Sequence, residues 1–369
     1  MYFCNMILER ISILNFKNIE EADLSFSPKM NYFFGNNGMG KTNLLDALFY
    51  LSFTKNHTNL LDFQLIRHGE EFCVLQGYYH NNEIRDEIYC GIKHKQRKVF
   101  KRNKKEYDRL SEHIGLIPIV MISPEDTELI QGGSAERRKF VDMIISQYDK
   151  TYLRLLIHYN KVLQQRNSLL KERAVDDSLF DIFDEQLISD GEFIHQKRKE
   201  FITGFLPLFQ KYHRVISDGC ESVDLQYDSP LDTLSLAVAL KEKLSVDKIL
   251  GYTSIGIHKD DFLFLLGNHL IRKIGSQGQN KTYLIALKLA QFQFLLQKNT
   301  SVPILLLDDV FDKLDANRVE RIIQLVTQDE FGQIFVTDTN RKYLDEILRG
   351  LKHDYKLFQV EEGIIKEIQ

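Results

Sequence analysis

The sequence is poor in cysteine, has no excess of positive charge and contains no long apolar run. Its four cysteines are scattered, with no C-x-x-C pair, at Cys4, Cys73, Cys90 and Cys220. This pattern argues against a metal site or a disulfide framework and predicts reduced packing residues in a cytoplasmic protein. The formal net charge of −4 gives no overall attraction to nucleic acid, so any such attraction must be local.

No apolar run approaches the roughly 20 residues that a membrane-spanning helix needs, which argues against a membrane protein. The first residues, Met1 to Met6, also lack the basic region and apolar core of a secretion signal. The remaining composition, 43% hydrophobic and 27% charged, is ordinary for a soluble globular protein. A chain of 369 residues is long enough for about two domains.

The spacing of apolar residues changes twice along the chain. Strand-like runs separated by turn residues come first, at 7–16, 22–26, 72–79, 83–92, 96–101 and 118–121. From Ser134 to about Ile216, apolar residues recur at three- and four-residue spacing, which predicts helices, with an interruption at Pro207. After Gly251, strand-like runs return. Helices and strands then alternate, at 280–297, 302–307, 316–327 and 333–337.

This order predicts an α/β fold with two domains. The first is a nucleotide-binding domain with a β-rich first lobe, formed by residues 1–125 plus 250–369. The second is a mostly helical domain, residues 126–249, inserted between the two halves of the first. The insertion is near the usual size of a domain.

A phosphate-binding pattern, G-x-x-x-x-G-K-[ST], lies between a strand-like run and a helix-compatible segment, which is the context it requires. Its glycines let backbone N–H groups turn toward phosphate oxygens, and the following helix adds the positive end of its dipole. Lys41 is expected to reach the β- and γ-phosphates of ATP, and Thr42 to hold Mg²⁺. The alternative is a chance glycine turn. The predicted ATP-binding residues are Gly35, Asn36, Asn37, Gly38, Met39, Gly40, Lys41 and Thr42.

The apolar run 304–307 ends in two carboxylates, Asp308 and Asp309. A continuously apolar strand suits the centre of a parallel sheet, and ligands bind at the carboxyl edge of such sheets. We therefore expect Asp308 to support Mg²⁺ and Asp309 to orient and deprotonate the attacking water. The alternative is a solvated pair of acids at the start of a loop.

A third motif precedes the predicted helix at 280–297. Ser276 can cap this helix and leave its N–H groups directed outward as an anion site. By itself such a motif is usually only a helix cap. The residues of this signature motif are Ser276, Gln277, Gly278 and Gln279, and Leu314-Asp315 follows the paired carboxylates.

Together these motifs resemble the ABC-type ATPase head of the SMC-like class and, more closely, the RecF family of bacterial DNA replication and repair proteins. The resemblance runs from residue 7 to about residue 340. Its most specific parts are the S-Q-G-Q form of the signature and the doubled aspartate. It is carried by 35–42, 123–126, 137–138, 165–167, 253–261, 275–290, 304–309, 311–315 and 337–339.

The resemblance implies that ATP lies between two protomers. Ser276 to Gln279 of one protomer would act in trans on the γ-phosphate bound by the other, with Asp315 at the seam. ATP would therefore produce a homodimer that holds DNA, and hydrolysis would release it. The resemblance also implies gapped or junction DNA as the ligand, and RecO and RecR as partners that load RecA in replication restart, recombinational repair and the SOS response.

Some positions depart from the wider pattern. ABC-type heads usually have a histidine near Thr337-Asp338 and a glutamine in the loop after Ile122, and this chain has neither. Asp309 also stands where a longer glutamate is common, so slow hydrolysis is expected. The resemblance further implies that this ATPase activity depends on DNA. Ile257 stands where the RecF family more often has proline.

A basic cluster offers a local attraction to DNA. Eight lysines and arginines and no acid occur between Lys93 and Lys105. Such a cluster suits a phosphate backbone, although a solvated hairpin edge is an equally good interpretation. No recognition helix for sequence readout is evident. The candidate DNA-binding residues are Lys95, Arg97, Lys98, Lys101, Arg102, Lys104 and Lys105.

Other functions share parts of this pattern. An ATPase subunit of a membrane transporter would have a similar head, but usually lacks the β-rich first lobe and long helical insertion. A scaffold that binds ATP without hydrolysing it differs only in the role of Asp309. A small-molecule kinase would not need the signature motif.

Overall fold

The computed structural model describes residues 4–58, 60–81, 84–172, 176–219, 221–299, 301–311, 314–339 and 355–368. The strands are β1 Cys4–Phe16, β2 Ile19–Ser25, β3 Met30–Phe34, β4 Phe72–Asn81, β5 Ile84–Lys93, β6 Val99–Arg102, β7 Lys105–Glu106, β8 Ile119–Ile122, β9 Val223–Asp228, β10 Asp261–Leu266, β11 His269–Leu270, β12 Ser301–Val302, β13 Ile304–Asp308, β14 Ile334–Asp338, β15 Tyr355–Glu361 and β16 Ile364–Glu367. The α-helices are α1 Lys41–Phe53, α2 Glu128–Gln131, α3 Ser134–Tyr148, α4 Lys150–Leu169, α5 Ser178–Ser217, α6 Leu236–Leu250, α7 Ile271–Ile274, α8 Gln277–Lys298 and α9 Ala316–Val326.

The chain divides into two compact units. One contains residues 1–126, 212–219 and 277–369, and the other contains 127–211 and 220–276. The predicted insertion, 126–249, differs from the second unit, which continues to Ser276 and does not include 212–219. The second unit extends past 249 because β10 pairs with β9, which lies within the predicted insertion but after the part of it assigned to helices.

A parallel sheet forms the centre of the first unit, with strand order β16-β15-β3-β14-β13-β8. Strands β8, β13, β14, β3 and β15 are parallel, and β16 is antiparallel to β15. Every residue of β8, β13 and β14 is buried, and the apolar run at 304–307 predicted this for β13. Because these strands are parallel, the carboxyl ends of β3, β14, β13 and β8 lie at the same edge of the sheet.

A second, mainly antiparallel sheet forms the β-rich lobe of the same unit. Its order is β12-β1-β4-β5-β6-β7, with β2 also paired to β1. The predicted hairpin of β1 and β2 is confirmed. Cys73 and Cys90 are buried packing residues in this sheet, and burial raises the pKa of the Cys73 thiol to about 12.

The second unit contains helices and the three-stranded sheet β11-β10-β9. Two fully buried arginines connect its elements. Arg166 of α4 pairs with Asp184 and Asp247, and Arg198 of α5 pairs with Asp142 and Asp260. Each guanidinium is therefore matched by two carboxylates, which compensates for the cost of burying a charge.

Helix α5 does not stop at Pro207 but continues to Ser217. The predicted interruption was therefore wrong. A proline inside a helix removes one backbone hydrogen bond, at a cost of about 3 kcal/mol. The apolar stripe continues on both sides of Pro207, with Phe201, Phe205, Phe209, Tyr212 and Ile216 all buried. Burying large side chains of this kind outweighs that loss. None of the described helices is both long and apolar enough to cross a bilayer.

Candidate nucleotide-binding site

The loop between β3 and α1 has glycines where no other residue fits. A Cβ on Gly35 would lie 2.2 Å from the carbonyl oxygen of Val360, and Gly40 has a φ of +112°. Gly40 precedes α1 without a side-chain cap. The first N–H groups of α1 are therefore left to the loop, which is the arrangement that binds an anion.

Lys41 is buried, and its ammonium group folds back on its own loop. The Nζ atom donates hydrogen bonds to the carbonyl oxygens of Gly35, at 2.7 Å, and Asn36, at 3.0 Å. These carbonyls hold the ammonium group beside the loop, where phosphate oxygens could replace them as acceptors.

The structure brings Thr42 and Asp308 together across the edge of the parallel sheet. The Thr42 hydroxyl lies 2.9 Å from Asp308 Oδ2, and the Thr337 hydroxyl donates to Asp308 Oδ1 at 2.6 Å. Strand β14, which carries Thr337, lies between β3 and β13. The parallel register therefore brings the ends of β13 and β14 and the first turn of α1, which follows β3, together around one carboxylate.

Burial raises the pKa of the Asp308 carboxyl to about 6, against the hydrogen bonds from Thr337 and Thr42, which favour the ionised form. The neighbouring Asp309 and Asp46 raise this pKa further. The surroundings of Asp308 disfavour its charged form, and a small divalent cation would offset this by binding the carboxylate and the neighbouring hydroxyl oxygen. Thr42 and Asp308 thus fit the expected Mg²⁺ site.

Asp309 follows the carboxyl end of β13 in a left-handed conformation, with a φ of 47°. Its backbone N–H donates to Thr337. At the end of the neighbouring strand, Asp338 accepts a 2.9 Å hydrogen bond from Tyr32. Asp309 is partly exposed while Asp308 is buried. The two adjacent acids therefore have different environments, as their predicted roles require.

The loop after β8 carries a buried ion pair that the sequence did not reveal. Lys288, in the middle of α8, forms a 2.6 Å ion pair with Asp126 and donates to the carbonyl of Met121. Asp126 also accepts from the backbone of Ser123. Burial raises the pKa of Asp126, but Lys288 and His57 outweigh it and the net shift is downward. The loop that begins at Ser123 is thereby fixed to α8.

The hairpin of β15 and β16 supports the phosphate loop through a contact that the sequence did not reveal. The N–H of Gly363, in the turn between β15 and β16, donates to the carbonyl of Met39 at 2.8 Å. On the other side, Asn18 accepts from the Asn43 side chain at 2.7 Å and fills the space beside Gly40. Only the glycine in the turn hinted at this contact.

The signature residues lie at the start of α8, which begins at Gln277 directly after Ser276. Asp315 is the N-cap of α9 and accepts from the backbone N–H of Arg318 at 3.0 Å. Arg318 in turn reaches Gly278 and Thr282 of α8. The sequence did not single out Arg318, because nothing local shows that its side chain crosses to another helix.

Comparison with known proteins agrees with this geometry. The family model described as the RecF/RecN/SMC N terminal domain matches residues 7–366. The DNA replication and repair protein RecF of Azobacteroides pseudotrichonymphae is 66% identical over 365 residues, covering 98% of this chain and all of that protein. This chain belongs to the RecF family. RecF of Parabacteroides distasonis is 57% identical, covering 99% of this chain and all of that protein.

A solved structure of the recombination mediator protein RecF with ATP in the RecFOR pathway matches over 100% of this chain and 99% of its own, with 30% identity and a TM-score of 0.90. An Smc head domain from Pyrococcus furiosus, 18% identical, matches with a TM-score of 0.60 over 98% of this chain and 96% of its own, and shows the shared fold. The RecF family and the ABC-type ATPase head predicted from the motifs are therefore confirmed.

The basic cluster expected to bind DNA in a RecF family member is not one surface. Lys98 has only 15% of its side chain exposed and pairs with Asp62, and Arg102 forms two hydrogen bonds with Asp86. Lys101 lies over the ring of Tyr89. The exposed cations lie in or beside two turns at opposite ends of β6: Lys93, Lys95 and Arg97 at the first, and Lys104 and Lys105 at the second.

Proposed function

We propose that this chain is an ATP-dependent DNA-binding protein of recombinational repair that dimerises around ATP and hydrolyses it slowly. The observation that carries this proposal is the convergence of Thr42, Asp308 and Thr337 beside the phosphate loop, in a chain of the RecF family.

Binding of ATP begins with an exchange of partners at Lys41. Its ammonium group leaves the carbonyls of Gly35 and Asn36 for the β- and γ-phosphate oxygens, while the N–H groups at the start of α1 hold the phosphates. Thr42 and Asp308 would hold Mg²⁺, which would neutralise charge on the phosphate oxygens. A cation at this position would favour the ionised form of Asp308.

Asp309 is the candidate base. It follows Asp308 at the carboxyl edge of the sheet and can orient the water that attacks the γ-phosphate. Aspartate is shorter than the glutamate common at this position, which supports slow turnover. The signature residues Ser276 to Gln279 of a second protomer complete the site. A nucleotide that bridges two protomers stabilises the dimer by mass action, and its hydrolysis removes the bridge.

Membership of the RecF family supports DNA and partner proteins as ligands of this chain. The RecF protein of the similar ATP-bound structure is a recombination mediator of the RecFOR pathway. We therefore propose gapped or junction DNA as the ligand, and RecO and RecR as partners in loading RecA. The negative net charge confines DNA contact to local patches, such as the exposed turns of the basic hairpin.

The proposal is tested by measuring mass with light scattering in ATP, in ADP and without nucleotide, with and without a gapped duplex. We expect a dimer only with ATP, and retention of DNA by that dimer. Lys41→Met should abolish nucleotide binding, and Ser276→Arg should leave nucleotide binding intact but abolish dimerisation. If both variants still dimerise and retain DNA, the proposal is wrong.

Hydrolysis has its own test, because a scaffold could bind ATP and dimerise without turnover. Phosphate release by the wild type should exceed that of Asp309→Asn, while nucleotide affinity stays similar in both. Equal release by the two proteins would support the scaffold. Recovery of the chain in a complex with a membrane permease would instead favour a transport ATPase.

A further inference from the structure

The guanidinium of Arg318 joins two helices of the first unit. Asp315 fixes it at its own end: one carboxylate oxygen caps α9 through the backbone N–H of Arg318, and the other lies 3.1 Å from Nε of the same side chain. An arginine held at both its backbone and its Nε has little freedom, so its outer nitrogens point in a defined direction.

The outer nitrogen Nη1 of Arg318 contacts the first two turns of α8. It donates to the carbonyl oxygen of Gly278 at 3.1 Å and to the hydroxyl of Thr282 at 2.8 Å. Thr282 is fully buried, and a Cβ on Gly278 would lie 3.4 Å from Nη1. The guanidinium therefore packs directly against the first turn of α8 at Gly278.

In the proposed dimer, one chain would supply its phosphate loop and paired aspartates to one ATP site and its signature to the other. The contacts of Arg318 connect these two parts of the chain. Asp309, at the end of β13, belongs to the site that the chain forms with its own phosphate loop. Gly278 belongs to the signature that the chain would offer to its partner. Asp315 follows Asp309 closely in sequence, so Arg318 forms a short bridge between the hydrolysis side and the signature side of one protomer.

We propose that Arg318 is a positioning residue for the signature in trans: it holds the first turn of α8 in the orientation that meets the partner's γ-phosphate. This inference rests on the proposed ATP-bridged dimer and names the residue that sets its geometry. The contacts of Arg318 are with Asp315, Gly278 and Thr282, so the role proposed for it is to position the signature. Its loss should impair the site in which its chain supplies the signature, and leave intact the site in which its chain supplies Lys41.

The first experiment compares Arg318→Met with Arg321→Met. Arg321 is a matched control, because it lies on the same helix and forms an ion pair with Asp218, away from α8. Nucleotide affinity of the monomer should change little in either variant. We expect Arg318→Met to weaken ATP-dependent dimerisation and slow phosphate release by about tenfold, the effect of losing charge-assisted hydrogen bonds. Arg318→Lys keeps the charge and should recover part of the loss.

The second experiment mixes two impaired variants in equal amounts and compares phosphate release with that of each variant alone. Lys41→Met supplies an intact signature, and Arg318→Met supplies an intact phosphate loop, so their mixed dimer contains one complete site and should regain activity. The mixture of Ser276→Arg with Lys41→Met calibrates this recovery, since it tests the trans arrangement alone.

Each outcome decides between the two ideas. If the calibrating mixture recovers and the Arg318→Met mixture does not, Arg318 acts on its own chain's site and the inference is overturned while the proposed dimer stands. If neither mixture recovers, the trans site itself fails, and both ideas fall. Equal defects in Arg318→Met and Arg321→Met would also overturn the inference, because they would show only a general effect of altering α9.

Discussion

The backbone N–H of Gly363 donates a 2.8 Å hydrogen bond to the carbonyl oxygen of Met39, so a turn near the C-terminus supports the phosphate loop. Gly363 has a φ of +81°, and a Cβ there would lie 2.3 Å from the carbonyl oxygen of Asn18. The turn between β15 and β16, the turn between β1 and β2, and the phosphate loop therefore pack without space for a further methyl group.

Gly363→Ala should loosen the phosphate loop and weaken nucleotide binding. The added Cβ collides with rigid backbone, so the turn must move and the bond to Met39 must lengthen. We expect the dissociation constant for a fluorescent ATP analogue to rise by about tenfold, equivalent to about 1.4 kcal/mol. Titration followed by fluorescence measures it directly.

Gly69→Ala is the matched control for this variant. Gly69 also has a positive φ, of +91°, but nothing lies within 4 Å of the added Cβ. Both variants incur the strain of a left-handed alanine, about 1–2 kcal/mol. Only Gly363→Ala should change nucleotide affinity, and similar affinities for the two variants would contradict the supporting role of the hairpin.

Asp308→Asn should stabilise the nucleotide-free protein at neutral pH while it weakens Mg²⁺-dependent ATP binding. The folded-state pKa of Asp308 is raised to about 6, so the folded protein binds this proton more tightly than the unfolded chain. The native carboxylate therefore destabilises the fold above pH 6, and this effect fades as pH falls through 6 toward 4. From two pKa units we expect up to about 3 kcal/mol.

Thermal unfolding of wild type and Asp308→Asn at pH 7.5 and pH 5 checks the sign. The Tm advantage of the variant should be larger at pH 7.5, where the wild-type carboxylate is ionised. A larger advantage at pH 5 would contradict the raised pKa. Added Mg²⁺ and ATP should stabilise the wild type far more than the variant.

Lys288→Met should destabilise the protein strongly, because it leaves Asp126 buried without its closest cation. Removing one partner of a buried ion pair typically costs about 3–5 kcal/mol. The change is measured as the midpoint of urea unfolding followed by circular dichroism, since the chain has no tryptophan. Lys288→Met with Asp126→Asn should recover part of the loss, and a double variant no more stable than the single one would argue against a paired role.

The exposed turn between β5 and β6 should contribute more to DNA binding than the turn between β6 and β7. Reversing the charges of Lys95 and Arg97 should lower affinity for a gapped duplex and flatten its dependence on salt, because fewer counterions are released. Reversing Lys104 and Lys105 makes the same change of charge on the same hairpin, beside the exposed Glu106, and serves as the control. If both charge reversals lowered DNA affinity equally, the prediction that the turn between β5 and β6 contributes more would be wrong.

The phosphate loop and the paired aspartates were predictable because their signals are local. A strand, a glycine-rich loop and a helix are consecutive in sequence, and a continuously apolar run predicts a buried strand. The α/β alternation of the last hundred residues was predictable for the same reason. By contrast, β9 was missed because it is a short strand between long helices, and its pairing with β10 depends on residues far along the chain.

The sequence by itself determined the family, the fold class and the residues of the phosphate loop, because these depend on the order and type of neighbouring residues. Only the tertiary structure decided which charged side chains are available. It pairs Lys98 with Asp62, pairs Lys288 with Asp126, and directs Arg318 to Gly278. The partners in each of these contacts lie 36 or more residues apart. Such contacts depend on how helices and strands pack against one another, and the residue pattern within a single element cannot predict that packing.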